Sequence, residues 1–161
     1  MEFRKIEPIR IKNARLIFRN FSGKPDEVDA NGGRRKFGVI IDPAVFDLDA
    51  LFADGWNIKT LAPLKPDGDP LYYLPVKVQF NPYPPDIFLI VGGKYAMRDE
   101  YGNPIPLDED AVGTLDRAEL ENVKLVITPY CWERNNKSGV SAYLKTGYFE
   151  IAKDEFADDY E

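Results

Sequence analysis

Apolar and polar residues alternate along six stretches of this chain, and that rhythm limits its fold more than any other feature. The stretches are "IRIKNARLIFRNF" (9–21), "RKFGVIID" (35–42), "LYYLPVKVQF" (71–80), "DIFLIVGG" (86–93), "VKLVITPYCWE" (123–133) and "GVSAYLKTGYFEI" (139–151). A two-residue period puts one side of each segment against a core and the other toward water, the pattern of half-buried β-strands. Between them lie "SGKPDEVDANGG", "KPDGDP", "NPYPPD", "DEYGNPIP" and "RNNKSG", rich in the residues that make turns. "WNIKTL" (56–61) and "KYAMRD" (94–99) are weaker strand candidates.

One segment has helical character. In "DPAVFDLDALFADG" (42–55), Asp42 reads as the N-cap, Pro43 as the first helical residue and Gly55 as the stop. Val45, Leu48, Leu51 and Phe52 would form its buried stripe. "GTLDRAELEN" (113–122) is a second short candidate. Many strands with one or two short helices predict an all-β chain, an OB-fold-like antiparallel β-barrel with extra hairpins, with a β-sandwich as the alternative. At 161 residues the chain suits one domain, residues 1–153, followed by an acidic tail, 154–161.

The sequence contains no histidine, which removes Ser-His-Asp and Cys-His catalysis and His-ligated metals. Cys131 is the single cysteine, so neither an intrachain disulfide nor a Cys-rich zinc site is available, and a reducing cytoplasm suits the chain. No segment has the apolar length of a membrane span or signal peptide. No metal or cofactor is expected.

Charge is unevenly placed. Residues 1–41 carry ten Lys/Arg against five Asp/Glu, whereas residues 42–121 carry six against fifteen. Residues 122–153 return to five against two, and 154–161 hold five acids and no base. The basic first and last strand regions would be neighbours in many barrels, so the net charge of −6 does not argue against a nucleic acid.

Alternation divides the last hairpin. Val123, Leu125, Ile127, Cys131, Val140, Ala142 and Leu144 fall on the core side. Tyr130, Trp132, Tyr143, Lys124 and Lys145 share the other, with Arg134 and Lys137 in the turn. Rings interleaved with cations on an open sheet face suit single-stranded nucleic acid, because stacking tolerates any base and cations meet phosphates. The same face could equally be covered by a loop or a partner subunit. On the first strand, Leu16 and Phe18 are expected inward and Arg15, Ile17 and Arg19 outward. "GGRRKF" adds Arg34, Arg35 and Lys36 after a long polar loop, as a phosphate-gripping end or a solvated turn.

"KNARLIFRNF", a polar loop, "GGRRKFGVIID" and a helix resemble the opening of phage-encoded single-stranded-DNA-binding replication proteins. "NVKLVITPYCWERNNKSGVSAYLKTGYFEI" is similar to that family's last hairpin, and "DEYGNPIP" to a hairpin it shares. The resemblance implies an OB-fold and sequence-tolerant binding of single-stranded DNA during phage replication, recombination or repair, in the host cytoplasm. It also implies a C-terminal tail that contacts replication proteins such as polymerase, helicase or primase and competes with DNA for the groove. The tail residues would be Asp154, Glu155, Phe156, Asp158, Asp159 and Tyr160. Family tails end in an aromatic residue, whereas here Glu161 follows Tyr160.

Taken together, Tyr130, Trp132 and Tyr143 are expected to stack on bases. Arg15, Arg19, Arg34, Arg35, Lys36, Arg134, Lys137 and Lys145 are expected along the phosphate path. Catalysis is not expected, and a homodimer stays open. The competing readings are a β-barrel interaction or structural module and, more remotely, a metal-dependent nuclease built on the scattered carboxylates of residues 99–121.

Overall fold

The computed structural model describes residues 6–25, 30, 32–63 and 66–152. The expected domain boundary and the tail residues Asp154, Glu155, Phe156, Asp158, Asp159 and Tyr160 lie outside them. Among the described residues, nine strands form one sheet: β1 (Ile9–Ile11), β2 (Leu16–Asn20), β3 (Arg35–Ile41), β4 (Lys59–Leu61), β5 (Leu71–Val78), β6 (Asp86–Val91), β7 (Lys94–Tyr95), β8 (Leu120–Arg134) and β9 (Lys137–Ile151). The order is β1-β8-β9-β5-β3-β2, with β5 and β9 parallel and the other pairs on this path antiparallel.

The first stretch of alternation is two strands rather than one. Asn13 takes a left-handed φ of 55° and breaks the run. Residues 9–11 then pair with β8 while 16–20 pair with β3. Ala14 N–H donates to the Val123 carbonyl and Ile40 N–H to that of Arg15, so this one segment joins both ends of the sheet into a ring. That is OB-fold architecture, with β4 paired to β5 and β6–β7 extending β9 as the decorations.

Within the ring, Val39, Ile41, Leu74, Val76, Val123, Leu125, Ile127, Val140, Ala142 and Leu144 are buried, as alternation requires. Phe21 stacks on Phe37 at 5.2 Å between centroids and meets Phe149 edge-on at 5.6 Å. All three rings are buried, each removing an apolar surface from water that stabilises by about 1.5–3 kcal/mol. The β9 strand carries one extra residue where Val126 pairs with Thr146 and Ile127 with Leu144. The bulge leaves Lys145 exposed and lets Phe149 return to the core.

The helix is shorter than its sequence suggests. It spans Leu48–Asp54, labelled α1, with Asp47 rather than Asp42 as N-cap; Asp47 accepts from Ala50 N–H at 3.2 Å. Asp42 instead caps the preceding turn by accepting from Ala44 N–H. Gly55 ends α1 as expected. Only Leu48 and Leu51 of the expected stripe pack on the core, while Val45 and Phe52 are exposed. The second candidate helix is a 3-10 turn, Val112–Asp116, seated by buried Val112 and Leu115. Beyond β7, Asp99 accepts from the backbone N–H groups of Asn103 and Tyr101 and from the Asn103 amide, which tightens that loop. The Asn103 backbone donor is the main reason its carboxyl sits below the usual carboxylate range.

Candidate nucleic-acid interface

The long hairpin aims its outward residues by strict register. Thr128 faces Tyr143, Tyr130 faces Ser141, Trp132 faces Gly139 and Arg134 faces Lys137, with Asn135 and Asn136 alone in the turn at φ 50° and 66°. Such a two-residue turn with both φ values positive matches the twist of the strands it joins. Tyr130 is 59% exposed and meets Tyr143 edge-on at 6.0 Å.

From Tyr143 a cross-strand row runs over the outer face. Tyr143 is registered with Lys77 of β5, Lys77 with Lys36 of β3, and Lys36 with Asn20 of β2. Lys77 Nζ lies 5.7 Å from the Tyr143 ring centroid, within cation–π range. Arg34, Lys36, Lys77 and Tyr143 line one depression, of about 600 Å³. Lys36 also lines a second groove of about 770 Å³, whose walls include Phe18, Tyr73 and Pro75 and whose rim carries Lys59 and Arg117. Gly38 forms part of its floor: a Cβ there would sit 2.9 Å from Ile17 and 3.0 Å from the Tyr73 ring. Only glycine lets those side chains close over the strand.

The structure therefore brings Lys36, Tyr130 and Tyr143 to one face, with Arg34 at the end of β3. Trp132 points to the same side by register, but it is half-buried and its ring rests on Gly139, where a Cβ would come within 2.7 Å. Arg134 and Lys137 sit exposed at the hairpin tip, and Lys145 on the bulge. Arg15 is exposed where the chain crosses from β8 to β3, in a small cleft shared with Glu119 and Glu121.

One expectation on the basic strands is corrected. Phe18 does not point inward: it is 64% exposed. Ile17 pairs with Gly38 and Asn20 with Lys36, so Phe18 and Arg19 together stand opposite the single residue Phe37. This β-bulge reverses the alternation, turning Phe18 out and sending Phe21 into the core in its place. Arg19, for its part, is occupied structurally. Its Nη1 donates to the carbonyls of Leu115 (2.9 Å) and Ala118 (2.7 Å), strapping the 3-10 turn to β2. The same turn returns the Asp116 carboxylate, which accepts from the N–H groups of Phe21 and Ser22 and from the Ser22 hydroxyl. Arg35 is similarly engaged, paired with Glu109 at 3.0 Å and lying over the Phe80 ring at 5.5 Å.

Six residues of the face escaped the sequence reading: Phe18, Lys24, Lys59, Tyr73, Lys77 and Arg117. Alternation in "LYYLPVKVQF" separates Tyr73, Pro75 and Lys77 from buried Leu74, Val76 and Val78, so two of them were recoverable from that strand. The bulge that exposes Phe18 leaves no such signal.

A family model described as "Putative phage ssDNA-binding domain" matches residues 1–161. The chain belongs to this family. Among solved structures, it resembles the single-stranded DNA-binding protein from bacteriophage Enc34 in complex with ssDNA, at 12% identity over 94% of this chain and 90% of that one, with a TM-score of 0.55. A second structure of the single-stranded DNA-binding protein from bacteriophage Enc34 gives 12% identity, 96% and 90% coverage and a TM-score of 0.52. Its C-terminal truncation gives 12%, 92% and 87%, and 0.54. At that identity the likeness establishes the shared OB-like fold. No curated protein matches the sequence. Among the described residues, no helix is long and apolar enough to cross a membrane, and no cluster of acidic or cysteine side chains could hold a metal ion.

Proposed function

We propose that the chain binds single-stranded DNA without regard to sequence, laying the strand across the outer face of β9, β5, β3 and β2. The observation that carries this reading is the continuous row of Tyr143, Lys77 and Lys36, flanked by Tyr130 at one end and by the Phe18–Tyr73 groove at the other. Rings accept the flat faces of any base, and cations on the same face replace the counterions of the phosphates. Family membership supports the ligand class, and the Enc34 protein, which shares the fold, is known with ssDNA bound. Both matches are to binding proteins, which suits a role without catalysis.

In this reading Arg34, Lys36 and Lys145, joined by Lys77, follow the phosphates, while Arg134 and Lys137 extend the path at the hairpin tip. Arg15 lies at its margin. Arg19 and Arg35 contribute by holding the scaffold, and Trp132 by shaping the hairpin end as well as by contact. Binding of this kind would protect single strands during phage replication, recombination or repair in the host cytoplasm. The acidic residues 154–161 would compete for the basic face and engage a replication protein such as a polymerase, helicase or primase.

Titration of the full chain against a fluorescent oligothymidylate tests the reading. The expected result is binding at micromolar concentration or tighter at low salt, weakening as salt rises and far weaker for duplex of the same length. Removal of residues 154–161 is expected to tighten it. Absence of binding at low salt by both forms would refute the proposal.

A further inference from the structure

We infer that Phe18 is a base-stacking side chain, held outward by the β2 bulge, and that with Tyr73 it forms a notch for one unstacked nucleobase. The inference rests on the single-stranded-DNA reading above and adds to it a site on the first strand of the barrel, where alternation had placed a core residue.

The backbone supplies the first observation. Phe18 has φ 52°, in the left-handed region where the Cβ of an ordinary L-residue crowds the following carbonyl. Among the described residues, the other non-glycine positions with positive φ are Asn13, Asn135 and Asn136. Where this chain needs only a left-handed turn, it uses glycine or asparagine, the residues that tolerate one. A bulky aromatic in that conformation is a cost that a plain bulge does not demand, and strain of this kind gathers at functional sites.

Exposure supplies the second. Phe18 lies between Leu16, which packs on the core, and fully buried Phe21, yet is itself 64% exposed. Its contact with Tyr73 is edge-on, with centroids 5.6 Å apart and an interplanar angle of 69°. The two rings thus make a corner rather than a closed stack, leaving ring surface free for a third flat group.

The surroundings supply the third. The groove under the corner is lined by Gly38 and Pro75 and has a volume of about 770 Å³, within the range of clefts that hold small organic groups. Lys24, Lys36, Lys59 and Arg117 stand around it, with Arg19 and with Asp116, whose carboxylate is held by Phe21 and Ser22. An apolar corner ringed by cations fits a base joined to phosphates better than an apolar protein side chain. A base can enter only if it has left its neighbours, so the notch also favours single strands over duplex.

The test uses the full chain, a fluorescent oligothymidylate at low salt, and the variants F18N, F18A and F18W. Asparagine suits the backbone but has no ring, so F18N separates stacking from strain. F18N and F18A are expected to lose affinity alike, about 5- to 150-fold, the range for deleting one stacked base. F18W is expected to stay within about threefold of the parent. F18N is expected to melt about 2–4 °C above F18A, because asparagine tolerates the left-handed backbone better than alanine does. Parent binding with unchanged F18N affinity would overturn the notch while leaving the proposed function intact. A collapse in the melting temperature of F18N would overturn it too, by showing that the ring supports the fold. If the parent itself fails to bind, the proposed function falls and the notch with it.

Discussion

The β8–β9 hairpin and the β2–β3 edge both present aromatic and cationic side chains, yet they place them by opposite means. The hairpin keeps its alternation from Ile127 to Arg134 and from Lys137 to Leu144, on the tip side of the Lys145 bulge, so burial of Ile127 on one side fixes exposure of Tyr130 on the other. The β2–β3 edge breaks alternation at Phe18 and Arg19, and everything distinctive about it follows from the break. There the ring expected in the core is outside, and the guanidinium expected outside is bound to carbonyls. A regular strand lets the core dictate the surface. A bulged strand must be held in place by other contacts, here the clamp of Arg19 and Asp116 on the 3-10 turn.

The largest expected effect breaks that clamp. Asp116→Ala leaves the N–H groups of Phe21 and Ser22 without their acceptor, and hydrogen bonds to a charged group contribute about 1.5–3 kcal/mol each. A loss of about 2–4 kcal/mol in urea unfolding is expected, with Arg19→Ala close behind. If Arg19→Ala instead unfolds like the parent but loses DNA affinity, Arg19 is a phosphate ligand and the contrast between the two regions fails.

On the hairpin the expectation reverses. Tyr130→Ala removes a ring that is mostly in solvent, so stability should move by less than about 1 kcal/mol. Affinity for an oligothymidylate should drop by about 1–3 kcal/mol. A large stability loss with unchanged binding would make Tyr130 part of the fold's own packing and remove the hairpin from the DNA face.

These two outcomes bear on what the sequence could convey. The barrel class, the buried sides of β3, β5, β8 and β9, and the grouping of Tyr130 with Tyr143 all follow from period-two patterning, because register carries a side chain's direction along a regular strand. Tyr73 and Lys77 were within reach of the same logic. Phe18 was not, since a bulge is set by what lies across the sheet and by Asp116, far away in sequence. The helix start failed for a related reason: Asp42 and Asp47 are both competent caps, and only packing of Leu48 and Leu51 selects the second. Arg19 and Arg35 look like surface cations in the sequence because their partners, Leu115, Ala118 and Glu109, arrive from distant segments.

The smallest effect concerns the row that connects the two regions. Lys77 is exposed, and replacing it by Gln should leave the melting temperature unchanged. For one phosphate contact on a single strand, the slope of log affinity against log salt should become shallower by about 0.7. An unaltered slope would detach the hairpin from the β2–β3 groove and leave two separate patches.

Photocross-linking resolves the matter most directly. An oligonucleotide carrying 5-iododeoxyuridine, bound to the full chain, irradiated and mapped by mass spectrometry, reports which side chains touch bases. Cross-links at Tyr143 or Tyr130 together with Phe18 or Tyr73 are the expected result, because they place one strand across both regions. Cross-links confined to the distal rings Phe88, Tyr95 and Tyr148, on the β6–β7 side of β9, would contradict the account.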